Sequence, residues 1–312
     1  MSAPRPLRLG WLSTGRDPAA RNLLTEVVER ASRDGLPLRI EAVFCDRARG
    51  ESPESDLFLD LVQTLGFPLV SLSSAASWQD AHRCGVEREA WRAVFHDDAI
   101  RRLEPFELDL LVLAGYMLIV SPRMCDRHAM LNLHPALPDG PKGTWQEVIW
   151  DLLRRESVET GAMIHLVTRE LDRGPVVAYD RFPIVGSEFA PLWELFTEKV
   201  AKYGFETVRV SEGEDEPLFA TIRSEGERRE IPLLYQTLAQ FLRGRLAVTR
   251  PEGTTAPVVT GDEPLPLDLS AEVSLEVGAR PADPQPRATG PAAGEATMVW
   301  RPGSEERRRD NA

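Results

Sequence analysis

The feature that most constrains this fold is the run Leu108–Ala114, which is almost uniformly apolar. A strand of this kind is buried on both faces, which is typical of the centre of a parallel β-sheet. A second apolar run, Met130–His134, follows after a short loop. It ends at Pro135, which lacks a backbone N–H and so helps to end a strand. The two runs predict two strands of a sheet that helices cover on both sides.

The rest of the chain alternates between strand and helix periodicity. Strands are predicted at Leu7–Ser13, Leu38–Phe44 and Pro68–Leu72, and helices at Ala19–Arg33, Ser55–Leu65, 79–103, Pro191–Tyr203 and Arg229–Leu246. Strands that alternate with helices predict a doubly wound α/β sheet. Gly161–Thr168 and Pro175–Ile184 are too close together for a βαβ unit and therefore predict an antiparallel pair.

The composition changes near Pro251. Nine of the 25 prolines lie in the last 62 residues, where no apolar periodicity is sustained. We therefore predict one domain at residues 1–250 and a Pro/Gly-rich, largely disordered tail at residues 251–312. Leu265–Val277 is the part of this tail that is expected to be able to dock.

Charge and cysteine content exclude several classes of protein. The net charge of −12 argues against a nucleic-acid partner or an anionic membrane surface. The three cysteines are scattered, which disfavours a disulfide framework and a cysteine-built zinc site. No apolar run reaches the roughly 18 residues of a spanning helix, and the N-terminus lacks a leader-like apolar region. These observations predict a cytoplasmic enzyme or binding protein, monomeric or homodimeric, that acts on small molecules.

Three polar side chains stand at predicted strand ends. Asn132 and His134 alternate with Leu131 and Leu133, so an extended strand holds the amide and the imidazole on one face, about 7 Å apart. Asp172 lies in the turn between the antiparallel strands. An amide N–H and an imidazolium can stabilise an oxyanion, and a nearby carboxylate favours the charged imidazole or holds a proton-transferring water. The trio therefore suits attack on a carbonyl by a bound amine or water.

Other interpretations of these residues stay open. A histidine at a strand end and a turn such as Leu171–Gly174 are often purely structural, and His165 competes with His134 as the functional histidine. His82, His96 and His128 are expected at the surface. No metal-binding spacing such as HExxH is present, so no metal is predicted. The loop after the first strand lacks the glycine patterns of dinucleotide-binding and Walker loops.

Three short segments, in this order and spacing, resemble the folate-dependent formyltransferases, and among them the enzymes that formylate glycinamide ribonucleotide. The segments are Leu113–Met117 with Ser121-Pro122, Leu131–Pro138, and Glu170–Pro175. The resemblance covers about residues 7–248. It implies a Rossmann-like formyltransferase fold, with a mostly parallel twisted sheet flanked by helices.

The resemblance also implies roles for particular residues. By position, Asn132, His134 and Asp172 match the family's catalytic asparagine, histidine and aspartate. The folate pterin would be enclosed by Met117, Leu118, Ile119, Val120, Thr168, Arg169, Glu170 and Leu171. The ribonucleotide substrate would meet a phosphate-binding turn and an acidic side chain, formed by Gly15, Arg16, Arg21, Asn22 and Glu227.

The implied reaction transfers a formyl group from 10-formyltetrahydrofolate, the co-substrate, to the amine of glycinamide ribonucleotide, a step of purine biosynthesis. Hydrolysis of 10-formyltetrahydrofolate, formylation of another amine such as an amino sugar, and a silent folate-binding module remain as alternatives. The departures from the family pattern lie mainly on the acceptor side. Thr14–Asn22 is longer than the family's glycine-rich turn and has lost a glycine, and Leu118 stands where many relatives carry arginine.

Overall fold

The structure, a computed structural model, describes residues 6–254 and 256–279. Its strands are β1 (Leu7–Ser13), β2 (Leu38–Cys45), β3 (Leu69–Ser71), β4 (Leu110–Leu113), β5 (Met130–His134), β6 (Glu159–Leu166), β7 (Val176–Pro183), β8 (Leu246–Thr249), β9 (Val258–Gly261) and β10 (Leu267–Asp268). Eight of them form one sheet in the order β10-β7-β6-β5-β4-β1-β2-β3, and β8 pairs with β9 in a separate antiparallel ribbon.

The helices are α1 (Pro18–Arg33), α2 (Pro53–Thr64), α3 (Ser74–Arg83), α4 (Arg88–Leu103), α5 (Pro122–Arg127), α6 (Trp145–Arg154), α7 (Ala190–Tyr203), α8 (Phe205–Glu212), α9 (Pro217–Leu242) and α10 (Ser270–Ala279). A short 3₁₀ turn at Gly213–Asp215 joins α8 to α9. Within the described residues, no helix combines the length and apolar character needed to cross a membrane.

The sheet is parallel on one side and antiparallel on the other. β3, β2, β1, β4 and β5 run parallel, whereas β6 is antiparallel to both β5 and β7. The chain enters at β1 and builds outward to β3, then returns to β4 on the other side of β1. Loops that follow β1 and β4 therefore diverge at a topological switch point, where open α/β sheets bind ligands.

Alternation along the central strands divides the core between the two faces of the sheet. Leu110 and Val112 of β4 pack in one buried cluster together with α1, α2 and α9, whereas Leu111 and Leu113 pack in a second cluster with α4 and α5. All four side chains are less than a tenth exposed. Burial of both faces explains why the Leu108–Ala114 run is almost continuously apolar.

The predicted fold class is confirmed, with the predicted antiparallel pair at β6 and β7. The single helix predicted at 79–103 is wrong, because the chain reverses at Gly85, which has φ of +72°. A left-handed residue cannot continue an α-helix, and glycine adopts this conformation without a side-chain penalty. Val94, expected to be buried, is 66% exposed on α4.

The tail prediction needs correction for residues 258–279. Leu269, Val273 and Val277 are buried in the main cluster, and Ser274 contacts Arg229 of α9. The prolines in this stretch interrupt short elements without preventing burial, since single apolar residues at helical spacing suffice to seat α10 against α9 and β7. The domain boundary at residue 250 stays a prediction, and residues 280–312 lie outside the described residues.

Candidate active site

Strand pairing places the predicted polar residues next to a histidine from the adjacent strand. Asn132 of β5 lies directly opposite His165 of β6, and His134 lies opposite Met163. The Asn132 side-chain nitrogen is 3.2 Å from His165 Nε2. The rings of His134 and His165 meet edge to face, with centroids 6.4 Å apart. His165 thus contacts both residues of the predicted pair.

The hydrogen bonds assign the tautomer of His165. Its Nδ1 lies 3.3 Å from the Leu166 carbonyl, which can only accept, so Nδ1 carries the proton in the neutral ring. Nε2 then accepts from the Asn132 amide, which leaves that amide with a second N–H to donate. Asp172 Oδ1 is 3.7 Å from the same Nε2. Asn132, His165 and Asp172 therefore form one connected polar group.

His134 is 4% exposed, and its Nε2 is buried without a hydrogen-bond partner in the part of the chain that the structure describes. A backbone hydrogen bond to Pro141, in the loop after β5, raises its pKa. Since a carbonyl accepts and Nε2 is unpaired, Nδ1 is the donor and Nε2 carries a lone pair in the neutral ring. Protonation would turn Nε2 into a buried donor with no protein partner.

Burial and charge act in opposite directions on these two rings. Desolvation lowers the pKa of His134 below its usual range, while the Asp172 carboxylate opposes this shift. The pKa of His165 is also lowered by desolvation, again with Asp172 acting to raise it. The direction in which Asp172 acts is the one expected from the sequence, but in the free chain desolvation outweighs it.

Backbone conformation aims Asp172 at the histidines. Its φ is +52°, in the left-handed region that aspartate tolerates better than most residues. Two positions later, Gly174 passes so close to β6 that an added Cβ would lie 1.6 Å from the Leu166 carbonyl oxygen. The loop between β6 and β7 therefore needs a glycine at 174 to lie against the strand end, which brings Asp172 to the histidines.

A cavity of about 230 Å³ opens beside this polar group. Asn132, His165 and Asp172 line it. All but one of the residues predicted to enclose the pterin line it as well, namely Met117, Leu118, Ile119, Val120, Thr168, Arg169 and Leu171. Glu170, the exception, lines a neighbouring cavity of about 320 Å³. His134 lines neither of these two cavities.

Apolar side chains form two facing walls of the 230 Å³ cavity, which we call the cleft. Met117 and Ile119 are 51% and 46% exposed, and Leu171 on the other wall is 59% exposed. Large apolar side chains left this open around a few convergent polar groups are typical of a ligand site. A larger cavity of about 910 Å³, beside β6 and β7, contains none of the predicted site residues.

The residues predicted to bind the ribonucleotide lie around the start of α1 and on α9. Gly15 and Arg16 are in the loop after β1, while Arg21 and Asn22 are within the first turns of α1. Thr14 links this loop to the cleft, because its hydroxyl accepts from the Met117 N–H at 3.0 Å. Glu227 lies on α9, paired with Arg223 at 2.7 Å. The structure does not test the roles of these residues.

Sequence reasoning missed two features. His165 was only a competitor of His134, although it joins Asn132 to Asp172; pairing its strand with β5 in the correct register would have revealed it. His96, expected at the surface, is fully buried. Its Nε2 is 3.1 Å from the Tyr116 hydroxyl, so it supports a residue that lines the cleft.

Comparison with known proteins identifies the class that this fold and cleft define. Residues 72–191 match the Formyl transferase family, and the chain therefore contains a formyl transferase domain. This stretch includes β4 to β7, both cleft walls and all three predicted catalytic residues. It ends before Glu227 and begins after the loop that precedes α1.

The relatives are more particular than the class. Phosphoribosylglycinamide formyltransferase of Escherichia coli is 32% identical over 99 residues, which are 31% of this chain and 46% of that protein. The enzyme of the same name from Mycobacterium tuberculosis is 29% identical over 59% of this chain and 74% of its own length. The chain thus matches less than half the length of the Escherichia coli protein.

Solved structures show the same fold. Glycinamide ribonucleotide transformylase 1 of Symbiobacterium toebii superposes with a TM-score of 0.53 at 22% identity, over 81% of this chain and 97% of that one. A formyltetrahydrofolate deformylase of Pseudomonas syringae has a TM-score of 0.53 at 20% identity, over 82% and 66% of the two chains. One fold therefore serves proteins named for formyl transfer and for deformylation.

Proposed function

We propose that this chain transfers the formyl group of 10-formyltetrahydrofolate to an amine. The observation that carries the proposal is the cleft itself, in which Asn132 and Asp172 lie between two exposed apolar walls. Apolar walls suit a flat, aromatic donor such as a pterin, and the polar end offers an N–H donor and a carboxylate at the same point. Relatives named for glycinamide ribonucleotide make that molecule the first acceptor to test.

The residues divide the chemistry as follows. The neutral amine attacks the formyl carbon, so a nitrogen–carbon bond forms while the carbonyl oxygen gains negative charge. The free N–H of Asn132 donates to that oxygen, and protonated His134 stabilises the same charge. Collapse of the intermediate breaks the bond between carbon and N10 of the folate. One proton leaves the attacking ammonium and one reaches N10, and Asp172, directly or through water, moves the first of them.

Protonation of His134 is the step that burial makes costly, because its pKa is lowered by desolvation. The unpartnered Nε2 is the atom at which that proton would be added. An oxyanion forming nearby would favour the charged ring, since an opposite charge raises the pKa of an imidazole. The carboxylate of Asp172 acts in the same direction. The proposal therefore assigns Asp172 an electrostatic role as well as proton transfer.

The test mixes purified chain with 10-formyltetrahydrofolate, with and without glycinamide ribonucleotide, and follows tetrahydrofolate release and formate separately. Release that requires an amine and gives no formate supports transfer. Equal release without any amine, matched by formate, would assign hydrolysis instead. A chain that neither binds nor consumes the donor would overturn the proposal. Asn132→Ala serves as the matched variant that keeps the apolar walls and removes the N–H donor.

A further inference from the structure

The loop that starts α1 uses its own side chains to satisfy its backbone N–H groups. Asp17 is the N-cap residue, and its Oδ1 accepts from the Ala20 N–H at 3.0 Å. Pro18, the first helical residue, has no N–H to offer. Before the helix, the Ser13 hydroxyl accepts from the Gly15 N–H at 3.1 Å. Donors that a phosphate would need at a helix start are thus absent or already bonded.

The two arginines of this region are also paired. Arg16 contacts Asp17 at 3.3 Å, and Arg21 contacts the Glu54 carboxylate at 2.6 Å. Arg21 also donates to the Glu54 carbonyl at 3.3 Å, which holds its side chain towards α2. Neither guanidinium is therefore available to a phosphate unless it leaves a carboxylate of the protein.

Carboxylates from α9 add to the negative charge facing this loop. Arg223 pairs with Glu227 at 2.7 Å and with Glu230 at 2.9 Å, so one cation is shared by two carboxylates. Its guanidinium also lies 4.5 Å from the centroid of the Trp145 ring. The charge of Asp17 is close enough to raise the pKa of Glu230, which joins α1 and α9 in one electrostatic environment.

A phosphate monoester brings a charge of about −1.5 to −2 at neutral pH, and a carboxylate within several ångströms opposes its binding. We propose that Asp17 is a specificity determinant that excludes phosphate from the start of α1, and that the amine acceptor of this chain carries no phosphate there. The inference rests on the proposed function and narrows it from the relatives' nucleotide to an unphosphorylated amine. It assigns to the Asp17 carboxylate the position at which an anion would otherwise cap the helix.

The first experiment compares glycinamide ribonucleotide with its unphosphorylated ribonucleoside as acceptors for the intact chain. The ribonucleoside should be used with kcat/KM equal to or higher than that of the ribonucleotide. A site that binds phosphate would show the reverse order by about tenfold or more, since every factor of ten is about 1.4 kcal/mol of binding. That reverse order would overturn the inference while leaving formyl transfer intact.

A variant identifies Asp17 as the cause. Asp17→Ser keeps an N-cap side chain but removes the charge, so the helix start stays capped. It should improve kcat/KM for the ribonucleotide relative to the ribonucleoside by about fivefold, the scale of a charge at a helix terminus. Glu29→Gln removes one charge from the exposed far end of α1 and should leave the ratio unchanged. An unchanged ratio in Asp17→Ser would remove Asp17 as the determinant.

Direct binding separates failure of this inference from failure of the proposed function. Ribose 5-phosphate is titrated into the wild-type chain and into Asp17→Ser by calorimetry, and a 10-formyl folate analogue is titrated in parallel. Phosphate binding by the variant alone supports the inference even if neither acceptor reacts. Wild-type binding of ribose 5-phosphate in the micromolar range would overturn it. Loss of folate binding alone would instead overturn the proposed function.

Discussion

The two sides of this site differ in how their polar groups are used. On the donor side, the cleft leaves apolar walls exposed and a hydrogen-bonding capacity unfilled: the second N–H of Asn132 and the buried Nε2 of His134. On the acceptor side, around the start of α1 and Arg223, the charged groups satisfy one another. Unfilled hydrogen-bonding capacity next to a cavity indicates a place for a ligand, whereas closed ion pairs indicate a surface that already holds itself together.

The matched formyl transferase stretch has the same asymmetry. It covers both cleft walls and the three predicted catalytic residues, but neither Asp17 nor Glu227. Chemistry on the donor is thus tied to the part of the chain that the family defines. Choice of the acceptor depends on segments outside that part, whose charges follow this chain's own sequence. The difference teaches that the donor and the acceptor of this chain must be tested separately.

The largest expected effect is on the donor side. Asn132→Ala, His134→Ala and Asp172→Asn should each lower turnover by at least about a hundredfold, the scale of an oxyanion donor or a general acid–base group. Steady-state rates with saturating 10-formyltetrahydrofolate measure this loss. Asp172→Asn should also move the acidic limb of the rate profile to lower pH, because the carboxylate that raises the pKa of His134 is gone.

Arg173→Gln provides the matched control for these variants, since Arg173 is the exposed neighbour of Asp172 on the same loop. Its rate should stay within about twofold of wild type, as for an ordinary surface substitution. Near-normal rates for Asn132→Ala or Asp172→Asn would break the comparison, because the donor side would then do no more than the acceptor side. A hundredfold loss in Arg173→Gln would show instead that the loop as a whole is sensitive.

The second effect is on stability, and it also concerns the donor side. Burial lowers the pKa of His96 to about 4, below its ordinary value in the unfolded chain. The unfolded state therefore binds the proton more readily, so this contribution is present above about pH 6.5 and is lost as pH falls towards 4. Between pH 7 and pH 5 the free energy of unfolding should fall by about 2 kcal/mol from His96 alone.

Chemical denaturation at several pH values measures this slope. His96→Gln cannot gain the proton and should reduce the slope, with part remaining because burial also lowers the pKa of His128 to about 4. The buried Asp180, whose pKa is raised to about 6 by desolvation, acts in the opposite direction over the same range. His82→Gln, on the exposed end of α3, is the control. An unchanged slope in His96→Gln would show that this histidine does not couple cleft and pH.

The sequence predicted most of what local pattern controls. Alternation in β5 identified Asn132 and His134, the apolar run identified the central strand, and Thr144 with Glu147 forms the predicted capping box of α6. These features depend on spacing within a few residues, which strand and helix geometry converts directly into a face or a cap.

Other features depended on contacts that spacing does not encode. His165 meets Asn132 only because β6 pairs with β5 in one particular register, and His96 is buried only because α4 packs over Tyr116. Residues 204–222, predicted as an insertion, form α8 and the first turn of α9, which carries the chain straight through Pro232. Composition indicated a disordered tail, but Val273 and Val277 find a buried position on α9 that no local pattern revealed.

The smallest effect belongs to the acceptor side and is the sharpest check on the comparison. Glu227→Gln should raise the KM of the amine acceptor by about threefold at most and leave the KM of the donor unchanged, because its exposed carboxylate is already held by Arg223. Glu206→Gln, an exposed and ion-paired glutamate on α8, is the matched control. A tenfold or larger rise in acceptor KM would show that Glu227 leaves Arg223 to contact the acceptor, as the family resemblance implies. The ion pairs around Arg223 would then open on binding, and the acceptor side would be a ligand site closed only in the free chain.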